Sequence, residues 1–144
     1  MKKEQKVKKI LVPLDESQNS IRGLKHAITL AKQTGRSIIG LHVMPIYLMT
    51  AIPRGFGVKN EMVKEGKSVM KKARQLTQKN NVQFEEKLVD GIPGVVIVNF
   101  AHSKKNKIDL IVIGSSSKGI SKEKYFGSVS NHVLNKSKIP VLVI

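Results

Sequence analysis

The 144 residues contain no cysteine. That excludes disulfides, thiolate-bound zinc, iron–sulfur clusters and thiol nucleophiles together. Tryptophan is also missing and aromatics make up 4% of the chain, so a platform for stacking nucleic-acid bases is poorly supplied. Acids are scarce: ten Asp and Glu stand against 26 Lys and Arg, a formal charge of +16. No apolar run approaches the roughly 18 residues of a membrane helix. The opening MKKEQKVKK is followed by only ILV before a proline, too short for the apolar core of a signal peptide. The expectation is a cytoplasmic protein with no membrane partner.

What is present suits one globular domain over residues 1–144: 40% of the residues are hydrophobic and 25% charged, enough to bury a core. The cationic surplus should attract polyanions. Only four of the 26 cations are arginines, and no lysine run exceeds two. Arginine is the side chain best suited to bidentate phosphate and guanine recognition. Specific nucleic-acid binding is therefore not expected, and the lysines read as a solvated surface.

Apolar periodicity alternates along the chain. Val7–Leu14 (VKKILVPL) is a short apolar run suited to a strand buried on both faces. Ile21, Leu24, Ile28 and Ala31 then recur at helical spacing, predicting a helix over Ser17–Gly35 with the glycine as its stop. A strand is expected at Ser37–Met44, a loop at Pro45–Lys59 marked by Pro45, Pro53, Gly55 and Gly57, and a helix at Val58–Asn80. Further expected elements are a strand at Val82–Val89, a helix at Ile92–Lys105, a strand at Ile108–Ile113, a helix at Phe126–Ser137 and a strand at Ile139–Ile144. Strands alternating with helices predict an α/β fold with a parallel sheet. Ligands of such sheets sit beyond the carboxyl ends of the strands. That draws attention to Asp15, to the turn at Gly91, Ile92 and Pro93, and to the loop from Gly114.

Two phosphate motifs are excluded by spacing. Gly114–Gly119 (GSSSKG) lacks the Lys-Ser/Thr that must follow a Walker glycine, and Gly55-Phe-Gly57 has no preceding strand to make a dinucleotide fingerprint. A larger pattern remains. Gly114 closes an apolar strand, nine residues separate Ser117 from Gly127, and Gly127-Ser128 opens a helix. A helix start offers free N–H groups and a positive dipole end, while Lys118, Lys122 and Lys124 could neutralise phosphate charge. An ordinary strand–loop–helix connection with a serine cap fits the same residues.

GSSSKGISKEKYFGS followed by VSNHVLNKSKIPVLVI, the opening KKILVPLDES, LHV at Leu41–Val43 and the turn VDGIP together resemble the universal stress protein family over nearly the whole chain. The family's nucleotide pattern is G-x2-G-x9-G-[ST]. The resemblance implies a flavodoxin-like five-stranded parallel sheet, order 3-2-1-4-5, with helices on both faces, and a homodimer through the C-terminal strand. It further implies a stress sensor or adaptor that binds ATP or AMP, with magnesium held mainly by the phosphates, and an unidentified protein partner. Asp15 and the backbone of Val43 match positions at the adenosine. Ile113, Gly114, Gly127, Ser128 and Val129 match the surroundings of the ribose and phosphates, and Pro13 and Ser117 complete the set. The second motif glycine is here Ser117. If that position needs a left-handed backbone, serine costs roughly 1–2 kcal/mol, or about five- to thirtyfold in affinity.

No general base, arginine finger or Walker lysine is placed by the sequence, so little or no hydrolysis is expected and no enzyme. Two alternatives stay open: an interaction module without nucleotide, and a basic polyanion binder. His26, His42, His102 and His132 form no metal-ligand spacing. His42 is expected as a strand residue with a hydrogen-bonded ring, and His102 and His132 as facing solvent or a neighbouring element. Asp15 reads either as an acid at a helix start, with Ser17 as cap, or as a ligand group. Asp109 is expected as a polar residue at a strand edge. Glu85 and Glu86 point to opposite faces and make no paired carboxylate site. The apolar stretch Met44–Pro53 is expected to pack over the sheet edge.

Overall fold

The computed structural model describes residues 8–45, 55–115 and 127–144. The elements alternate as β1 (Lys9–Pro13), α1 (Gln18–Thr34), β2 (Ser37–Met44), α2 (Gly55–Lys79), β3 (Phe84–Asp90), α3 (Pro93–His102), β4 (Ile108–Ile113), α4 (Ser128–Lys136) and β5 (Val141–Val143). The strands form one sheet in the order β3-β2-β1-β4-β5, every neighbouring pair parallel. This is the flavodoxin-like arrangement.

Strand side chains alternate between two cores. Ile10, Val12, Ile38 and Val112 face one layer, built from Leu24, Ala27, Ile28 and Ala31 of α1 and Val69, Met70 and Ala73 of α2. Leu11, Ile39, Leu41, Ile111 and Ile113 face the other, with Ile97, Val98 and Ala101 of α3 and Val133 of α4. A strand covered on both faces must be apolar at consecutive positions, which is why KILVP and IDLIVI read as unbroken runs. α1 is closed at both ends as expected: Ser17 Oγ accepts from the Ser20 N–H, and Gly35 takes a left-handed conformation with φ 71°.

Element boundaries move for identifiable reasons. α2 begins at Gly55, so Gly55 and Gly57 lie in a helix rather than a loop; a cost of about 1 kcal/mol per glycine is small beside 25 residues of packed helix. Asn81 has φ 56° and the Val82 N–H donates to the Thr77 carbonyl at 3.0 Å. Val82 thus closes α2, and β3 starts two residues later than expected. α3 ends at His102 and Lys104–Asn106 form a separate 3-10 turn, with the Asn106 side chain donating to the Phe100 carbonyl at 2.9 Å. Before β5, Ser137 Oγ bonds both polar backbone groups of Ile139, which holds that residue out of the strand.

Asp109 is not a loose edge residue. Its carboxylate receives a fork from Arg36, Nε at 2.9 Å and Nη2 at 2.7 Å to Oδ2. The pair ties the entry of β2 to β4 across the amino end of β1, which lies between them.

Candidate functional site

At the opposite end of the sheet the strands give way to a cleft of about 620 Å³, lined from the ends of β1, β2 and β4, the first turns of α1, α3 and α4, and one side of α2. The volume falls in the range of small-ligand sites. Its floor exists because β1 stops early. Pro13 pairs with Leu41, and the Leu14 N–H makes the next bond, to the Leu41 carbonyl at 2.8 Å. Backbone groups alternate sides along a strand, and the Met44 carbonyl is bonded to Gly91 on the β3 side. The N–H and C=O of Val43 therefore point, like those of Leu41, toward β1, into space that β1 has vacated. The cleft gains one donor and one acceptor from the main chain.

His42 is buried on this floor, its Nδ1 2.8 Å from the Leu14 carbonyl, which fixes the ring and keeps a proton on that nitrogen. α2 reaches the ring through Gly66, where an added Cβ would lie 2.8 Å from His42 Cδ2 and 2.8 Å from Leu88 Cδ2. That close approach brings Glu65 to the rim. The wall beside β4 depends on a second tight contact. A Cβ on Gly114 would collide with the Asn19 carbonyl of α1 and stand 2.9 Å from the Ser20 nitrogen. Asn19 Nδ2 also donates to the Ser115 carbonyl at 2.7 Å, so the start of α1 is clamped to the end of β4.

The loop after β1 is knitted by short polar side chains. Asp15 Oδ1 accepts from the Ser17 N–H at 2.7 Å. The buried Ser20 hydroxyl accepts from the Asp15 N–H at 3.2 Å and lies 2.9 Å from the Asp15 carbonyl. Asp15 stands before the helix, in a side-chain turn, with a carboxylate that remains exposed. Opposite, α4 opens at Gly127 with no side-chain cap among the described residues and no acid in its first turn, so its leading N–H groups and the positive end of its dipole are turned to the cleft. Ser128 is the first helical residue and not the cap. Glu65 is pushed above the ordinary carboxylate range, first by desolvation and then by the charge and hydrogen bond of Glu16; His42 opposes this and Asp15 adds to it.

A profile of the universal stress protein family matches residues 6–144. The chain belongs to the universal stress protein family. Among its relatives, universal stress protein YxiE of Bacillus subtilis is 34% identical over 148 residues, covering 94% of this chain and 97% of that one. The solved structure of the MJ0577 protein, from Methanocaldococcus jannaschii, superposes with a TM-score of 0.83 at 31% identity, over 95% of this chain and 94% of that one. A universal stress protein from Archaeoglobus fulgidus, solved in complex with dAMP, gives 0.71 at 25% identity, over 96% and 98% of the two chains.

In this universal stress protein the fold brings Pro13, Asp15, Val43, Ile113, Gly114, Gly127, Ser128 and Val129 to the one cleft. Ser117, its three lysine neighbours and most of the Met44–Pro53 stretch lie outside the described residues. Sequence reasoning missed Ser20, Met62, Glu65 and Ser130, which also line it. Ser20 had a legible signal, its spacing of three from the cap Ser17. Glu65 had none, since only the packing of Gly66 on His42 places it there. Among the described residues no group of three or more His, Asp or Glu is arranged to hold a metal. His102 meets a neighbour, its Nε2 accepting from the Lys138 N–H at 3.0 Å, and His132 packs under Gly94.

Proposed function

We propose that this chain is a cytoplasmic, homodimeric sensor or adaptor, one domain over residues 1–144, that binds ATP or AMP in the cleft and hydrolyses it little or not at all. The observation that carries the reading is the pairing, in one cleft, of outward-facing Val43 backbone groups with the uncapped start of α4. A purine edge offers an adjacent donor and acceptor, which the Val43 N–H and C=O complement. A phosphate suits the free N–H groups and dipole at Gly127, Ser128 and Val129. Asp15, held by Ser17, is positioned to accept from a ribose hydroxyl, with Pro13, Ile113 and Gly114 as the walls between. The dAMP complex of the Archaeoglobus fulgidus relative supports a nucleotide as the ligand class. Magnesium, when present with ATP, would be held by the phosphates.

Weak or absent hydrolysis is supported by a described lining that holds no lysine or arginine. The carboxylates of the described lining are Asp15, fixed in a turn, and Glu65, which stands beside Glu16. Dimerisation through β5 is supported by the contrast between the two sheet edges. β3 exposes Glu85, Glu86 and Lys87, charges that discourage strand pairing. β5 is the apolar run Val-Leu-Val with Leu142 exposed.

The test is calorimetric titration with Mg-ATP and with AMP at physiological salt. The expected outcome is micromolar, saturable binding at one nucleotide per subunit, weakened by Asp15→Ala and tightened about five- to thirtyfold by Ser117→Gly. No heat up to millimolar nucleotide overturns the reading. Binding created only by Ser117→Gly would identify a lapsed pocket and an interaction module.

A further inference from the structure

The positive charge of this chain is not spread evenly over the fold. α1 and α2, the layer on one face of the sheet, carry ten Lys and Arg against two Glu, whereas α3 and α4 carry a single Lys and no acid. One helical layer thus holds a net +8 of the +16. α1 itself contains no acid. Arg22, Lys25 and Lys32 on α1 and Lys64, Lys67, Lys71, Lys72 and Lys79 on α2 are all exposed. Lys25 with Lys32, Lys64 with Lys71, and Lys72 with Lys79 each stand seven residues apart, which returns them to one side of their helix. The two rows share a surface, because Lys32 Nζ reaches Asn80, just beyond α2, at 3.5 Å.

We propose that the outer face of the α1–α2 layer docks on the phosphate backbone of duplex nucleic acid without reading its sequence. Seven helical residues rise about 10.5 Å, a length over which each strand of a duplex carries about three phosphates, one for every roughly 3.4 Å of its axis. Adjacent packed helices lie about 8–10 Å apart. The layer therefore presents two lines of cations, as a duplex presents two lines of anions. Lysine heads are mobile, strongly hydrated point charges, suited to phosphate contact and not to base readout. An insertion into lipid is disfavoured, since the large exposed apolar residues among those described are Ile92, Val95, Leu134 and Leu142, none of them on α1 or α2. Asp15, Glu16 and Glu65 gather where the α1–α2 layer meets the cleft, across from α4. The cationic rows that would meet the duplex lie on the outer face, away from that acidic edge.

The test is the anisotropy of a labelled duplex of about 25 base pairs, titrated with the full chain between about 50 and 200 mM salt. Changing Lys67, Lys71 and Lys72 to Glu is expected to weaken binding by on the order of tenfold or more and to flatten the slope of log K against log salt by about 3. Changing them to Gln should give a smaller loss in the same direction. Changing Lys104, Lys105 and Lys136 to Glu, the same charge change on the other side of the sheet, should cost about threefold at most. The α2 triple should leave the Mg-ATP titration unaltered. Equal losses from both triples, or no duplex binding by the parent chain at about 50 mM salt, overturn the proposal. So does retention on anionic vesicles at salt that releases the duplex.

Discussion

The two ends of the sheet are built from the same five strands and treat polar groups in opposite ways. At the amino end they are paired. Arg36 forks onto Asp109, Lys9 meets Glu85 at 3.5 Å, and Lys87 meets the other Glu85 oxygen at 3.1 Å. The hollow there, about 570 Å³ and bordered by Lys9, Ser37 and Lys107, is more open than the cleft. At the carboxyl end, Val43 main-chain groups and the first turn of α4 face the cleft with no side-chain cap on that helix among the described residues. The asymmetry is inherent in parallel β–α–β winding: each crossover places a helix N-terminus, with its free N–H groups, at the carboxyl end. One end holds the fold closed and the other is left able to receive an anion.

That contrast can be tested by changing each end separately. The largest effect is expected from Gly114→Val. Its side chain would collide with the Asn19 carbonyl and Ser20, so denaturant melts should show a loss of about 3 kcal/mol or more, with nucleotide binding lost as well. A variant of parental stability would refute the clamp between α1 and β4.

Asp109→Ala should act on stability alone. It removes a charge-assisted fork and leaves the half-buried Arg36 without its partner, for a loss of about 1–2 kcal/mol at neutral pH. Nucleotide affinity in the folded variant should stay within about twofold of the parent. Asp15→Ala is the converse. Affinity should fall about tenfold while the melt moves by about 1 kcal/mol or less, since one turn bond is lost from an exposed site. If both substitutions move both observables, the two ends are not separable.

The smallest effect is expected from Glu65→Gln. Glu65 titrates above the ordinary carboxylate range in the folded chain, so the fold favours its protonated form. As pH rises from the unfolded to the folded pKa the native state loses stability relative to the unfolded chain. The glutamine should therefore raise the melting temperature by about one degree at neutral pH, with the gain vanishing below the carboxylate range. A gain that persists in acid, or a loss at neutral pH, would point to a cause other than the Glu16–Glu65 contact.

Much of the molecule was legible before any coordinates. The runs KILVP, SIIGLHVM and IDLIVI are strands because consecutive apolar residues suit two buried faces, and the pattern Leu24, Ile28, Ala31 is a helix because 3.6 residues make a turn. Asp15, Gly114 and Gly127 could be singled out because strand ends and helix starts are where such folds expose their backbone. The meaning of those residues was less accessible. Gly114 reads as a phosphate-loop glycine, and the fold shows that α1 itself leaves no room for a side chain there. Asp109 reads as an edge residue until Arg36, 73 positions away, closes on it.

By itself, then, the sequence determined the period of each element, the stops at Gly35 and Pro45, the parallel α/β class and the family. These depend on φ, ψ preferences and on apolar spacing, which act between near neighbours in the chain. Only the tertiary structure decided that β1 would end short enough to leave Val43 facing a cleft and that Gly66 would seat Glu65 beside Glu16. It also decided that half the charge would gather on one helical layer. Each of these depends on residues far apart in sequence whose distance is set by packing across the sheet.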